Sequence, residues 1–302
     1  MQTYAVNPIS HRADTMKIRG LHNLQSYNQR SVVTIGSFDG VHLVHQAILQ
    51  QVNATAAMLG LPSVVMTFEP QPQEYFSGEK APARLMRLRE KIDALLEFGI
   101  DRVVCLQFNR VLRNLTASEF IHQVLVDGLS IKHLIVGDDF HFGCDRSGDF
   151  RMLAEFGKNC DFDVQDTKTL ESDKERSRST RVRGFLQQAE FGRASQLLGR
   201  PFSIKGRVVY GQQVGRKLGF PTANVQLNRY SAPLTGVYAV LVDIDGVRYQ
   251  GAANVGVRPT VGDLVKPILE VHLLDFSGDL YGQRIEVEFM DKIRDEIKFT
   301  TL

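Results

Sequence analysis

The spacing of apolar residues changes period near Gly199, and that change restricts the fold more than any other feature. Before it, short β-branched runs alternate with stretches of helical period. The run 32–35 (VVTI) ends at Gly36, and 42–59 carries Ile48, Val52 and Ala56 four apart before Pro62 stops it. Residues 63–68 predict a second strand, 85–98 an amphipathic helix, and 102–108 a third strand. A helix over 116–125, capped by Thr116 or Ser118, and a fourth strand over 132–136 follow. Strands alternating with helices predict a parallel sheet with crossover helices, whose ligands bind beyond the strands' carboxyl ends. Gly36 to Gly40 and Gly137 to Phe140 both fall at such ends. A connecting helix is expected over 183–198. Beyond it come short strands at 202–210, 237–244, 247–252, 268–275 and 284–289, with Asp245-Gly246 as a hairpin signal. This half reads as an antiparallel barrel or sandwich.

Bulk properties agree with two domains. The chain has 302 residues, 43% hydrophobic and 23% charged, enough for sizeable cores. Its 36 basic and 34 acidic residues leave a net charge of +2, which predicts neither a nucleic-acid footprint nor a membrane-surface protein. Three scattered cysteines, Cys105, Cys144 and Cys160, predict a reducing compartment rather than a disulfide framework. No run of about 18 apolar residues suggests a spanning helix, and 1–15 lacks a signal-peptide core, reading as a disordered extension with Met16 as an alternative start. A cytoplasmic location is the expectation.

The stretch GSFDGVHLVH (36–45) has a physical logic for phosphate. Gly36 and Gly40 let backbone N–H groups approach oxygens closely, and a helix N-terminus adds partial positive charge. His42 and His45, three apart, share one face of the first turn and can donate to a triphosphate as charge builds up. No Walker lysine is present. Two incidental histidines on an ordinary strand–turn–helix, or a two-histidine metal site, remain open at this level.

A second cluster is GQQVGRKLGFPTANV (211–225). Pro221 makes a rigid turn that can aim the Thr222 hydroxyl and the Asn224 amide at a metal-bound phosphate. Gly211, Gly215 and Gly219, with Arg216 and Lys217, suit a loop that closes over phosphates. A basic surface turn is the alternative. Glu270, in ILEVHLLDF (268–276), alternates away from Leu269, Val271 and Leu273. It faces either solvent or a nucleotide pocket, where it could take a proton from an attacking hydroxyl.

GSFDGVHLVH resembles the G-x-F-D-G-x-H-x-G-H signature of the adenylyltransferase half of bacterial bifunctional riboflavin kinase/FAD synthetases. TFEPQPQEYF (67–76), APARLMRLREKIDAL (81–95), VGDDFHFG (136–143), RSGDF (146–150) and STRVR (179–183) follow in the family's order. GRVVYGQQVGRKLGFPTAN, GVYAV (236–240), GAANVGVRPTV (251–261), LEVHLLDF and GDLYGQRIEVEF (278–289) resemble its riboflavin kinase half. The resemblance implies a Rossmann-like nucleotidyltransferase domain over 16–185, a connecting helix over 186–199 and a flavokinase barrel over 200–302. It implies that riboflavin is phosphorylated to FMN and FMN adenylylated to FAD, with ATP as co-substrate and Mg²⁺ as cofactor. His42 and His45 would act on the ATP phosphates as catalytic residues. Gly36, Phe38, Asp39, Gly40, Ser179, Thr180 and Arg183 would form the nucleotide site. Thr222 and Asn224 would hold Mg-ATP, Glu270 would be the catalytic base, and Gly215, Arg216 and Lys217 would cover the phosphates. Three departures stand out. Val44 replaces a glycine where an isopropyl group could meet the nucleotide, and Arg178 replaces the first of two serines. The sequence also ends at Leu302, where the family continues into a helix that helps shape the flavin site. They motivate two alternatives: a divergent member with an active kinase and weak or lost FAD synthesis, and a non-catalytic flavin- or nucleotide-binding regulator.

Overall fold

The computed structural model describes residues 24, 29–137, 139–167, 173–211, 221–259 and 265–296. These group into two compact units, one drawn from 1–37, 47–75 and 92–172, the other from 38–46, 76–91 and 173–302.

The first unit is built on a parallel sheet. In chain order the elements are β1 (Ser31–Ile35), α1 (Leu43–Leu59), β2 (Ser63–Glu69), α2 (Pro72–Ser77), α3 (Leu88–Glu97), β3 (Arg102–Gln107), α4 (Arg110–Arg113), α5 (Ala117–Glu119), a π-helix over Phe120–Val126, β4 (Ile131–Val136), α6 (Phe150–Cys160) and β5 (Asp163–Asp166). The strand order is β3-β2-β1-β4-β5, all parallel. All five residues of β1 are buried, as a central strand covered on both faces requires. Its core gathers Val33, Val64, Val104 and Leu134 with Ile121, Leu125 and Leu153. The order reverses between β1 and β4, so Gly36 and Gly137 follow the two strands that flank the switch point.

The second unit contains α7 (Asp173–Gln187), α8 (Phe191–Leu198) and six strands: β6 (Ser203–Val209), β7 (Ala223–Val225), β8 (Gly236–Ile244), β9 (Val247–Pro259), β10 (Val265–Leu273) and β11 (Arg284–Arg294). They close into an antiparallel barrel in the order β10-β7-β6-β11-β8-β9, which decides between barrel and sandwich. Strand β8 alternates buried and half-buried residues without a break, as a one-sided core demands. Phe191 and Leu198 of α8 join Tyr238, Val255, Leu269 and Phe289 in that core.

Several elements differ from expectation for local reasons. The helix expected over 85–98 begins only at Leu88, because the Leu85 and Met86 amides bond a carboxylate instead. The single helix expected over 183–198 is two, broken where Ala189 takes φ 58°. Thr116 is the cap, in a reciprocal capping box with Glu119, but the helix then widens to π over Phe120–Val126. His42 precedes α1 rather than lying in its first turn. The turn expected at Pro221–Asn224 gives way at Ala223 to strand β7, and the strand expected over 247–252 continues to Pro259.

One buried polar cluster shapes the second unit. The Glu90 carboxylate accepts from the Arg87 amide at 2.7 Å, the Lys205 amide at 2.7 Å and the Arg229 guanidinium at 3.0 Å. Arg229 also donates to the Arg84 carbonyl at 2.9 Å, and Arg87 donates to the carbonyls of Gln226 and Lys205. Segment 84–90 is thereby tied to the β6–β7 edge of the barrel.

Candidate active sites

The first polar site lies within the second unit, on the loop 38–46. That loop is strained: Phe38, Gly40 and Val41 take φ of 46°, 87° and 41°. Gly40 is needed twice over, since a Cβ there would also meet Leu85 Cδ1 at 2.8 Å. Asp39 holds the loop in shape. Its buried carboxylate accepts from the Leu85 amide at 3.1 Å and the Met86 amide at 3.0 Å, and pairs with Arg183 Nη2 at 2.6 Å. Arg183 also donates to the Ala83 carbonyl, and the Ser179 hydroxyl to the Asp39 carbonyl at 3.3 Å. Ser179 and Arg183, one helical turn apart on α7, therefore clamp the loop through Asp39. Arg200 donates to the carbonyls of Gly40 at 2.7 Å and Val41 at 3.2 Å.

On this loop His42 and His45 stack, with ring centroids 3.6 Å apart and planes 10° from parallel; Phe38 leans on His45 at 5.0 Å. The His45 backbone N–H donates to His42 Nδ1 at 3.4 Å. Nδ1 is thus an acceptor, and the neutral ring carries its proton on Nε2. Nε2 is buried and has no hydrogen-bond partner among the described residues. Burial, the adjacent His45 and the charge of Arg178 push the His42 pKa from 6.5 down to about 2. His42 therefore presents a neutral N–H donor with an unfilled hydrogen bond, suited to an anionic oxygen.

Of the residues predicted for this site, Phe38, Asp39, Gly40, His42, His45, Ser179 and Arg183 come together. Thr180 is exposed on α7. The Gly36 N–H is not free for phosphate, because it donates to the Met66 carbonyl at 3.1 Å, a correction to its expected role. Val44 is buried, 5% exposed, so its isopropyl group is packed away from solvent.

The second site is on the outer face of the barrel. Register pairs Glu270 with Asn224 of β7 on one side and with Asn254 of β9 on the other. Leu269, Val271, Ala253 and Val255 point into the core, so these three polar side chains share the opposite face. His272 donates from Nδ1 to the Pro221 carbonyl at 2.9 Å and so pins the turn before β7. A side chain at Gly211 would overlap the Asn224 amide. Thr222 stands between two cavities. One, about 620 Å³, is lined by Pro221, Phe276, Asp279 and Tyr281. The other, about 320 Å³, is lined by Asn254, Glu270, His272 and Arg294. Gly215, Arg216 and Lys217 lie outside the described residues. Sequence reasoning missed Asn254, His272 and Arg200. The alternation in GAANVGV marks Asn254 as outward-facing, but its pairing with Glu270 appears only in the register.

A nucleotide-type sheet with a histidine donor loop, joined to a barrel bearing a Thr–Asn–Glu constellation, defines a two-part phosphate-transferring enzyme. The FAD synthetase family model matches residues 24–181, and the riboflavin kinase model matches 198–302. The chain belongs to the family of bifunctional riboflavin kinase/FAD synthetases. A relative from Pseudomonas fluorescens, named bifunctional riboflavin kinase/FMN adenylyltransferase, is 56% identical over 94% of this chain and 91% of its own. Relatives of the same name from Haemophilus influenzae and Escherichia coli are 48% identical over 93% and 94% of this chain and 92% and 91% of theirs. A crystal structure from Streptococcus pneumoniae, described as a macrolide-efflux protein, shares the fold at a TM-score of 0.75 and 31% identity, covering 95% of this chain and 93% of that one. Among the described residues here, no helix is long and apolar enough to cross a membrane.

Proposed function

We propose that the barrel phosphorylates riboflavin to FMN and that the His42–His45 loop adenylylates FMN to FAD, both from ATP. One observation carries this: each family-matched segment has a polar site of its own, at its own signature residues. The matching relatives are named for both activities, so neither a one-sided member nor a non-catalytic regulator is favoured.

In the barrel, Glu270 is the general base. Its cavity takes the flavin side chain, and the larger cavity across Thr222 takes the nucleotide. Glu270 accepts the proton of the terminal hydroxyl as its oxygen attacks the γ-phosphorus, and ADP leaves. The donor set suits Mg²⁺: the Thr222 hydroxyl and the Asn224 amide oxygen are hard neutral ligands, fitting an ion that arrives on a nucleotide. Thr222 and Asn224 would hold it, and it would neutralise phosphate charge. Gly215, Arg216 and Lys217 close over the phosphates.

In the other half, the FMN phosphate attacks the α-phosphorus and pyrophosphate leaves. His42 donates from Nε2 to a phosphate oxygen, with His45 stacked behind it. Asp39, Ser179 and Arg183 keep the loop in that shape, Phe38 and Gly40 set its path, and Thr180 completes the nucleotide-binding helix face. Positioning and charge neutralisation supply most of the rate. We assign 16–185 to adenylyl transfer, 186–199 to the connection and 200–302 to the kinase, in a cytoplasmic enzyme without nucleic-acid or membrane partners.

The test is to incubate purified protein with riboflavin, ATP and Mg²⁺ and to chromatograph the flavins. FMN and then FAD are expected. Glu270→Ala should stop FMN formation yet still convert supplied FMN to FAD. FMN at the wild-type rate would refute the role of Glu270, and no FAD from FMN would refute the adenylyl half.

A further inference from the structure

We infer that Arg200 is a positioning residue for adenylyl transfer, acting through the backbone that carries His42. This rests on the reading of His42 as the phosphate donor of that reaction. Residues 38–41 form a tight turn, closed by the Val41 N–H to the Phe38 carbonyl at 3.3 Å. Val41 takes φ 41°, where a β-branched residue is strained and stays only if its surroundings hold it there.

What holds it is a grip on the carbonyls. Arg200 Nη2 donates to the Gly40 carbonyl at 2.7 Å, and Nη1 to the carbonyls of Val41 at 3.2 Å and Leu198 at 3.3 Å. The Gln46 side-chain amide donates to the same Val41 and Leu198 carbonyls, at 2.9 Å each. The end of α8 is thus laced to the two residues before His42. Ser179 and Arg183 hold the loop at Asp39, whereas Arg200 holds the residues between Asp39 and His42. In a trans peptide the C=O and N–H point to opposite sides of one plane. Fixing the Val41 carbonyl therefore fixes the plane of the Val41–His42 peptide and restrains the backbone from which the imidazole springs. Gly199 allows the approach: it ends α8 with φ 73°, and a Cβ there would meet Leu43 Cδ2 at 2.6 Å. The half-buried Arg200 guanidinium is a rigid fork that matches two neighbouring carbonyls, where an ammonium is a point charge on a flexible stem. Its charge, after burial, His45 and Arg178, is the least of the effects that keep His42 neutral. Arg200 is also the first residue of the portion assigned to the kinase, so that portion lends a residue to the other reaction.

The experiment compares Arg200→Met, Arg200→Lys, His42→Gln and the double variant His42→Gln/Arg200→Met in the full chain. FAD formation from supplied FMN and riboflavin phosphorylation are measured on the same preparations. Arg200→Met keeps an apolar stem and removes the donors. It should lower the adenylyl-transfer kcat by on the order of tenfold to a hundredfold, as displacement of a reacting group does. The KM for FMN and riboflavin phosphorylation should stay unchanged, and Arg200→Lys should restore part of the kcat. In the His42→Gln background the methionine change should have no further effect on the residual rate, because it acts through His42. An unchanged kcat in Arg200→Met overturns the inference. So does a further loss of the same size in the His42→Gln background, or an equal loss of phosphorylation, which would mark a merely structural role. Full FAD formation by His42→Gln alone would instead refute the role of His42 itself.

Discussion

Acid should destabilise this protein through His42, by an amount that the structure sets. The folded ring titrates at about 2 and the unfolded one near 6.5, so the folded state stays neutral where the unfolded chain takes up a proton. The folded pKa is depressed. The stabilisation is therefore complete above about pH 6.5 and is lost progressively as pH falls towards 2. Between pH 7 and pH 5 the unfolded imidazole goes from mostly neutral to mostly charged, worth ~2 kcal/mol for a single site. For a unit of this size that is a fall of roughly 4–8 °C in Tm. The assay is calorimetric melting of wild type and of His42→Gln, which cannot titrate, at pH 5, 6 and 7. Other titrating groups are common to both proteins, so the difference in slope isolates His42. Wild type should lose ~2 kcal/mol more than the variant across that range. Parallel slopes would refute a buried neutral histidine. Saturating ATP should flatten the wild-type slope, because an anion at Nε2 favours the imidazolium.

Three further outcomes are expected. Asp39→Ala strands Arg183 and frees the Leu85 and Met86 amides, and should destabilise the protein by about 3–5 kcal/mol in urea unfolding, with loss of FAD synthesis. Gly211→Ala pushes aside the Asn224 amide and should raise the kinase KM for ATP by about tenfold, equivalent to roughly 1.4 kcal/mol, while FAD synthesis from FMN continues. Val44→Gly opens a buried position and adds glycine to the first turn of α1, so it should lower Tm without speeding FAD synthesis, read by melting and by flavin chromatography.

Much of the fold was legible because burial leaves a periodic trace. The wholly β-branched 32–35 announces a buried strand of a parallel sheet, and Ile285, Val287 and Phe289 announce a one-sided barrel strand. What escaped depends on distant partners. Leu85 and Met86 have helical spacing, yet their amides serve Asp39, 46 and 47 residues away in the chain. The three residues of β7 are too short to register as a strand behind Pro221. At the sites, residue types that carry chemistry were visible: the histidines, Asp39, Thr222, Asn224 and Glu270. Gly36 shows the limit of reading glycine as phosphate-binding, for its amide belongs to the sheet. Arg200 shows the converse, an ordinary residue given meaning by the distant loop it holds.

The Glu90–Arg229 cluster bears on how this chain can be divided. Arg229 and the Lys205 amide belong to the carboxyl-terminal portion, but their partners come from 84–90. A protein cut at 199 would keep a full barrel sequence and lose the acceptors for Arg229, whose side chain is wholly buried. An isolated buried guanidinium is worth about 3–5 kcal/mol of lost stability. The carboxyl-terminal portion thus draws part of its stability from residues 84–90, far earlier in the chain. In a chain that begins at 200, replacing Arg229 with an apolar residue should recover part of the stability lost with its partners, so the amino-terminal segment serves the barrel as well as its own loop.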